Sequence, residues 1–295
     1  MPTPDQRNPS RIRLPWLAGL TVTLAGVGAV RAAYRHMRRH DAFDLNETHL
    51  VLRRLPPAFD GYKIVHFSDV HLGSRASRMS RARLQAAADL INQQQPDLIA
   101  FTGDLITRRA PVDLNELIVP LREMSARDGK VAVLGNHDYY VNRTLIDAVF
   151  RLSDFTHLSN DVLTLHRDDA RLHIAGVDSL MRRRARLDRV LRRLPNRGGA
   201  ILLAHEPDFA DFSAATQRFD LQLSGHSHGG QINVPVLTRL ALPNYGQRYP
   251  GGLTLVGNML VYTNRGLGTV GLPLRINSRP EITVINLYAR RRRWG

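Results

Sequence analysis

The 295-residue sequence has no cysteine. Disulfides, thiolate metal sites and cysteine nucleophiles are therefore excluded, and any bound metal falls to His, Asp, Asn or Glu. No internal repeat or low-complexity tract is visible, which excludes solenoid and repeat architectures. Basic stripes interleaved with aromatics, as used to stack single-stranded bases, are absent too. Acidic residues are few against basic ones, 26 to 41, giving a net charge of +15. That excess is local. Residues 1–40, 181–197 and 290–295 together carry +17, so the remainder of the chain is close to −2. A near-neutral body with three arginine-rich patches suits a polyanion, either an anionic membrane surface or nucleic acid.

Long apolar runs are also scarce. An uncharged apolar stretch, Leu14 to Val30, has Arg7, Arg11 and Arg13 before it and Arg31, Arg35, Arg38 and Arg39 after it. At about 1.5 Å per residue it reaches roughly 25 Å, slightly under a hydrocarbon core. No clean small-residue cleavage site follows, so an uncleaved anchor is expected, with the flanking charges leaning towards a cytoplasmic body. Residues 1–44 read as a basic segment carrying this anchor at 14–30. Residues 45–289 read as one catalytic domain, and 290–295 as a basic tail.

Apolar residues make up 43% of the chain, enough for a sizeable core. Residues 41–60 read as a connector into the first strand. Apolar, β-rich runs then occur at Tyr62–Phe67, Leu98–Thr102, Val131–Leu134, Leu172–Val177, Ala200–Ala204, Leu221–Leu223, Leu260–Thr263 and Ile282–Leu287. Val162–His166 and Arg171–Val177 flank a polar turn and predict a hairpin. Helical periodicity lies between the runs, at Ser80–Gln95 and in the arginine-rich segment Arg182–Arg193, where Leu187, Val190, Leu191 and Leu194 form an apolar stripe. The pattern predicts an α/β fold with mixed sheets.

Residues that can ligate metals stand where these runs end. Asp69-Val70-His71 follows the first run, Gly103-Asp104 the second and Gly135-Asn136-His137-Asp138 the third. His205 follows Ala200–Ala204, and Gly225-His226-Ser227-His228-Gly229-Gly230 follows Leu221–Leu223. Loops at the carboxyl ends of strands are where α/β sheets build sites. In an extended segment residues i and i+2 share a face, so Asp69 with His71, and His226 with His228, are expected to reach one cluster. Glycine before Asp104, Asn136 and His226 allows close backbone approach. Mixed N/O ligands without sulfur suit Mn, Fe, Zn or Co, and a carboxylate such as Asp104 can bridge two cations.

Read in order, DVH, GD, GNHD, H and GHSH resemble the calcineurin-like metallophosphoesterase superfamily. The tail, with Asn264-Arg265-Gly266-Leu267-Gly268 and Leu272-Pro273-Leu274-Arg275, resembles a bacterial membrane-anchored branch that includes UDP-2,3-diacylglucosamine pyrophosphatases of lipid A synthesis. The resemblance implies a four-layer αββα sandwich and two divalent metal ions. It assigns Asp69, His71, Asp104 and His228 to one ion, and Asp104, Asn136, His205 and His226 to the other. It further implies a hydroxide activated by both ions as nucleophile. His137 is the implied catalytic residue beside the phosphate, with Asp138 either orienting it or standing as a helix N-terminal carboxylate. Thr107 occupies the position of an Asp in the protein-phosphatase branch, which leaves the partner of His137 open and argues against protein phosphatase activity. A lipid-linked or nucleotide-linked phosphate at the membrane is the expected substrate. A nuclease or cyclic-nucleotide phosphodiesterase, and a non-catalytic membrane-binding scaffold, are the alternatives.

Overall fold

The computed structural model describes residues 42–73, 76–107, 113–234, 238 and 242–290. The apolar run at 14–30 and all but one residue of the 290–295 tail lie outside them. Among the described residues no helix is long and apolar enough to cross a membrane.

Two six-stranded mixed sheets carry the fold. The first contains β1 (Asp44–Leu52), β2 (Tyr62–Phe67), β3 (Leu98–Phe101), β4 (Lys130–Ala132), β5 (Phe155–His157) and β12 (Glu281–Ala289), in the order β1-β12-β2-β3-β4-β5. The second contains β6 (Asp161–Arg167), β7 (Ala170–Gly176), β8 (Gly199–Leu203), β9 (Leu221–Ser224), β10 (Gly252–Val256) and β11 (Met259–Thr263), in the order β10-β11-β9-β8-β7-β6. Helices α1 (Arg81–Gln93), α2 (Asn115–Glu123) and α3 (Arg143–Leu152) belong to the first sheet, and α4 (Leu187–Arg193) and α5 (Ala210–Ala215) to the second.

Strand alternation explains the layering. Val65 and Phe67, Ile99 and Phe101, and Ala132 pack with Leu84, Leu117 and Ile146 of the helices. Their neighbours Ile64, Leu98, Ala100 and Val131 face inward, against Ile174, Ile201, Leu203, Leu221 and Leu223 of the other sheet. Ala200, Leu202 and Val261 face outward again, onto Val190 and Ala210. Three cores thus separate helices, sheet, sheet and helices. Strands buried on both faces read as unbroken apolar runs, which is why β2, β3, β8 and β9 are plain in the sequence.

The expected hairpin forms. β6 and β7 pair antiparallel, closed at Arg167↔Ala170. Three strands escape the sequence reading. Residues 41–60 are not only a connector, because β1 runs parallel to β12 from Asp44 to Leu52. It is an edge strand with just Leu50 and Leu52 fully buried, so its sequence carries little apolar signal. β5 and β10 are likewise edge strands. The arginine-rich helix is shorter than expected. Only Leu187–Arg193 is helical, preceded by a turn, and its apolar stripe is taken up by the core through Val190 and Leu194.

β12 is tied to the end of β11 in the other sheet through Glu281, which is buried. It accepts hydrogen bonds from Arg265 Nε (2.6 Å), Tyr262 OH (2.5 Å) and Thr283 Oγ1 (2.9 Å). Burial pushes its carboxyl up, but Arg265 and these donors outweigh that and hold it below the usual range. A depressed carboxyl contributes stability above its unfolded value, about 4.3, and loses it as pH falls through the folded value. Glu281→Gln is therefore expected to cost about 2 kcal/mol in urea unfolding at pH 7, and progressively less below about pH 4. An equal cost at pH 7 and pH 3 would show that the carboxylate charge plays no part.

Candidate metal centre

β2, β3 and β4 are parallel neighbours, as are β8 and β9. Their carboxyl ends therefore open on common edges, and the five motif loops meet there. Asp69 Oδ1 lies 3.5 Å from His71 Nε2 and 3.4 Å from His228 Nε2. Asp104 Oδ2 lies 3.2 Å from His205 Nε2 and 3.6 Å from His71 Nε2. Asn136 Oδ1 is 3.2 Å from His205 Nε2. Three overlapping donor groups result: Asp69, His71 and His228; His71, Asp104 and His137; and Asp104, His205 and His226. Asp104 belongs to two of them. Every residue expected from the sequence to ligate a metal is thus drawn into one cluster.

Each carboxylate is aimed by the loop beside it. Asp69 Oδ2 accepts the His226 N–H at 3.0 Å, and Asp104 Oδ1 accepts the His137 N–H at 2.7 Å. The other oxygen of each is left facing the imidazoles. The imidazoles are oriented in the same way. His205 Nδ1 donates to Thr102 O (2.7 Å) and His226 Nε2 to Asn244 O (2.9 Å), so in the neutral ring of each the other nitrogen carries the lone pair. His71 Nδ1 bonds Thr107 Oγ1.

The convergence of Asp69 with His71 does not come from an extended strand. Both have φ of 52°, and His226 and His228 have φ of 69° and 53°. These left-handed conformations cost on the order of 1 kcal/mol or more each. They are held by hydrogen bonds from Asp69 N to Gly103 O (2.9 Å) and His71 N to Asp104 O (3.0 Å). The glycines act as expected, through close approach. A Cβ on Gly135 would lie 2.5 Å from Asp104 N, and one on Gly225 would lie 2.7 Å from Ser68 Cβ.

Burial alone would raise the Asp69 and Asp104 carboxyls. The imidazoles beside them, His228 and His71 for Asp69 and His205 for Asp104, hold both well below the usual range. Burial pushes His71, His137, His226 and His228 down, towards the neutral form that ligates metals. His205 is the exception: burial lowers it, but Asp104 raises it well above normal. A cation on the same carboxylate would displace that proton. The donor chemistry fits a cation well. Asp69 Oδ1 is buried without a hydrogen-bond partner, and the surrounding atoms are carboxylate, imidazole and carboxamide.

Four roles were not legible in the sequence. Asp138 does not orient His137; its carboxylate accepts N–H bonds from Asp104 (2.9 Å), Leu105 (2.8 Å), Ile106 (3.3 Å) and Gly135 (2.9 Å), and so ties two ligand loops together. Thr107 Oγ1, besides bonding His71, lies 3.5 Å from His137 Nδ1. Arg275 is buried and donates to Arg265 O (2.8 Å) and Gly266 O (3.0 Å), bracing the tail loop against the site. Arg182 Nε donates to Asn136 O at 2.8 Å, with its guanidinium 4.3 Å from the Tyr140 ring centroid. The GNHD quartet and the Leu272–Arg275 motif marked two of these positions without revealing what they hold.

A sulfur-free His/Asp/Asn cluster at the carboxyl ends of strands in a two-sheet sandwich defines a metal-binding hydrolase. Residues 62–230 match the calcineurin-like phosphoesterase family, more than half of the chain, and the protein belongs to that family. It is 37% identical over 273 residues to the uncharacterized metallophosphoesterase YkuE of Bacillus subtilis, covering 92% of each chain. Phosphodiesterase YaeI of Escherichia coli is 30% identical over 233 residues, covering 77% of this chain and 82% of its own. A zebrafish transmembrane protein with a metallophosphoesterase domain is 30% identical over 287 residues, covering 90% of this chain and 62% of its own.

Proposed function

We propose that the protein hydrolyses a phosphodiester or pyrophosphate bond in a substrate with an apolar arm, at a membrane surface, using two divalent cations. Asp69, His71, Asp104 and His228 would hold one cation. Asp104, Asn136, His205 and His226 would hold the other, with Asp104 between them. When bound, the cations supply Lewis acidity and a nucleophile derived from water at neutral pH.

The observation that carries the substrate class is the cleft beside the cluster. It has a volume of about 400 Å³. Its lining joins the polar Asp104, Asn136, His137, His226 and His228 with Tyr140, Met181, Ile232, Pro243, Val270 and Leu272. Tyr140, Met181 and Leu272 are exposed apolar side chains, at 53%, 40% and 57%. A lining part polar and part apolar fits a phosphate that carries a hydrocarbon or aryl group. The name of the YaeI relative supports the diester class, and the sequence tail supports a lipid-linked substrate of the UDP-2,3-diacylglucosamine type.

His137 is assigned as the catalytic donor. With His71 Nε2 turned to the carboxylates, its Nδ1 carries the proton and donates to Thr107 Oγ1. The Thr107 hydroxyl proton is then directed at His137 Nδ1. His137 is left with its proton on Nε2, able to give a hydrogen bond to a phosphoryl or leaving oxygen in the cleft and stabilise its charge. Arg182 fixes the Asn136 backbone and places a positive charge at the cleft edge.

A panel of aryl phosphomonoester, aryl phosphodiester, nucleoside diphosphate and diacyl-linked pyrophosphate, with Mn²⁺ supplied, tests the reading. Diesters or pyrophosphates should be preferred, and Leu272→Asp should raise KM for the acyl-linked substrate about tenfold while sparing the small diester. Preference for the monoester, or equal effects of Leu272→Asp on both substrates, would count against it.

Membrane attachment through residues 14–30 is part of the proposal, in keeping with transmembrane relatives such as the zebrafish protein. Deleting residues 1–40 should move the protein from the membrane to the soluble fraction. Retention on the membrane would assign attachment to another surface.

A further inference from the structure

The arginine-rich segment at 181–197 is only partly used by the metal cleft. Arg182 turns towards Asn136 and Tyr140, but the next arginines turn away. Arg183, Arg184, Arg186 and Arg189, with Arg143 of α3, line a separate polar cavity of about 430 Å³. It shares no lining residue with the cleft. Tyr140 faces the cleft side, whereas Tyr139 donates to Asp178 Oδ1 (2.6 Å) on the arginine side and lies 5.9 Å beneath the Arg184 guanidinium.

The cavity is pre-built. Buried Asn160 accepts the N–H groups of Asp178 (3.1 Å) and Arg186 (2.8 Å) through Oδ1, and its Nδ2 donates to Arg184 O (3.1 Å). Buried Glu206 accepts the N–H groups of Leu180 (3.0 Å) and Met181 (3.1 Å). Two buried polar side chains therefore hold an exposed loop of arginines in one conformation.

The arginine charge is only partly cancelled: Arg143 pairs with Asp178 and Asp147, both at 3.6 Å, and Arg186 with Asp188, while among the described residues the other lining arginines stay unpaired. Asp178 is the one acid in the lining, and its carboxylate already accepts from Tyr139 OH, Ser159 Oγ (2.6 Å) and Ser179 N (2.7 Å). Nearby Asp188 is shared by Arg186 and Arg192, and Asp161 is paired with Arg193. Among the described residues Arg183, Arg184 and Arg189 make no ion pair. The segment 181–197 holds eight arginines and no lysine. Planar guanidinium forks match the paired oxygens of a phosphate where a lysine offers only a point charge.

We propose that this cavity is a second, non-catalytic phosphate-binding site, taking the phosphate of an anionic headgroup or of a soluble phosphoester while the metal cleft works beside it. It does not depend on the metal assignments.

Tungstate, a tetrahedral oxyanion that can be located by anomalous scattering, is the probe for the site. Crystals of the full chain soaked in tungstate should show a peak between Arg183, Arg184 and Arg189. The double variant Arg183→Ser/Arg189→Ser changes only exposed side chains, so it should keep its fold and lose that peak, whatever binds at the metal centre. To separate the sources, the full chain and the double variant are compared on neutral phosphatidylcholine vesicles, with and without phosphatidylglycerol. A loss of roughly tenfold in binding, confined to the anionic vesicles, identifies a lipid headgroup. Loss of the tungstate peak with equal vesicle binding identifies a soluble phosphate. No cavity peak in the wild type, or a peak that survives in the double variant, overturns the proposal.

Discussion

Asp104→Asn is expected to lower hydrolysis of an aryl phosphodiester by about 10³-fold or more, with the fold retained. The substitution keeps the shape of the side chain. Its Oδ1 can still accept the His137 N–H, now at 2.7 Å. What disappears is the negative charge of Oδ2, which lies 3.2 Å from His205 and 3.6 Å from His71 and belongs to two donor groups at once. An amide there presents N–H donors or a neutral oxygen to sites that need an anion between two cations. Metal content should fall with activity, read by elemental analysis of the purified protein. The fold should persist because the substituted side chain can keep the His137 N–H bond and Asp138 carries the other side-chain hydrogen bonds that tie the two loops. A variant that kept most of its activity, or its full metal content, would remove Asp104 from the bridging position.

The second large effect is expected at His137. His137→Gln should lower kcat by about 10²- to 10³-fold and leave KM and metal content nearly unchanged. His137 lines the cleft and its ring is hydrogen-bonded to Thr107, so its loss is expected to remove a donor and not a ligand. Thr107→Val should give a smaller loss, roughly tenfold, because it frees the tautomers of both His71 and His137 without deleting either ring. If His137→Gln instead emptied the metal centre, the residue would be a ligand, as its grouping with His71 and Asp104 permits. The two variants together separate hydrogen-bond donation from metal retention.

Much of the centre could be read from the chain because two simple physical patterns coincide. Strands buried on both faces give unbroken apolar runs, and each run that ends in Asp, His or Asn marks a loop at a sheet edge. The edge strands were missed for the converse reason. β1 has only Leu50 and Leu52 fully buried, and most of its sequence reads as polar. The geometry within the loops was also misjudged. Asp69 and His71 share a target through two left-handed residues rather than through extended alternation, and no local sequence rule distinguishes the two. Asp138 was visible only as the fourth residue of a quartet. Its partners lie more than thirty positions earlier in the chain, apart from Gly135.

The sequence by itself determined the sulfur-free donor set, the α/β alternation and the order in which the ligand residues leave their strands. These are properties of composition and short-range spacing, and each is decided within a few residues. Only the tertiary structure decided which oxygen of each carboxylate faces the imidazoles, that Thr107 touches both His71 and His137, and that the arginine run divides between two cavities. Those outcomes depend on contacts between segments distant in the chain, where a hydrogen bond from one loop fixes the side chain of another. Short-range spacing carries no information about them.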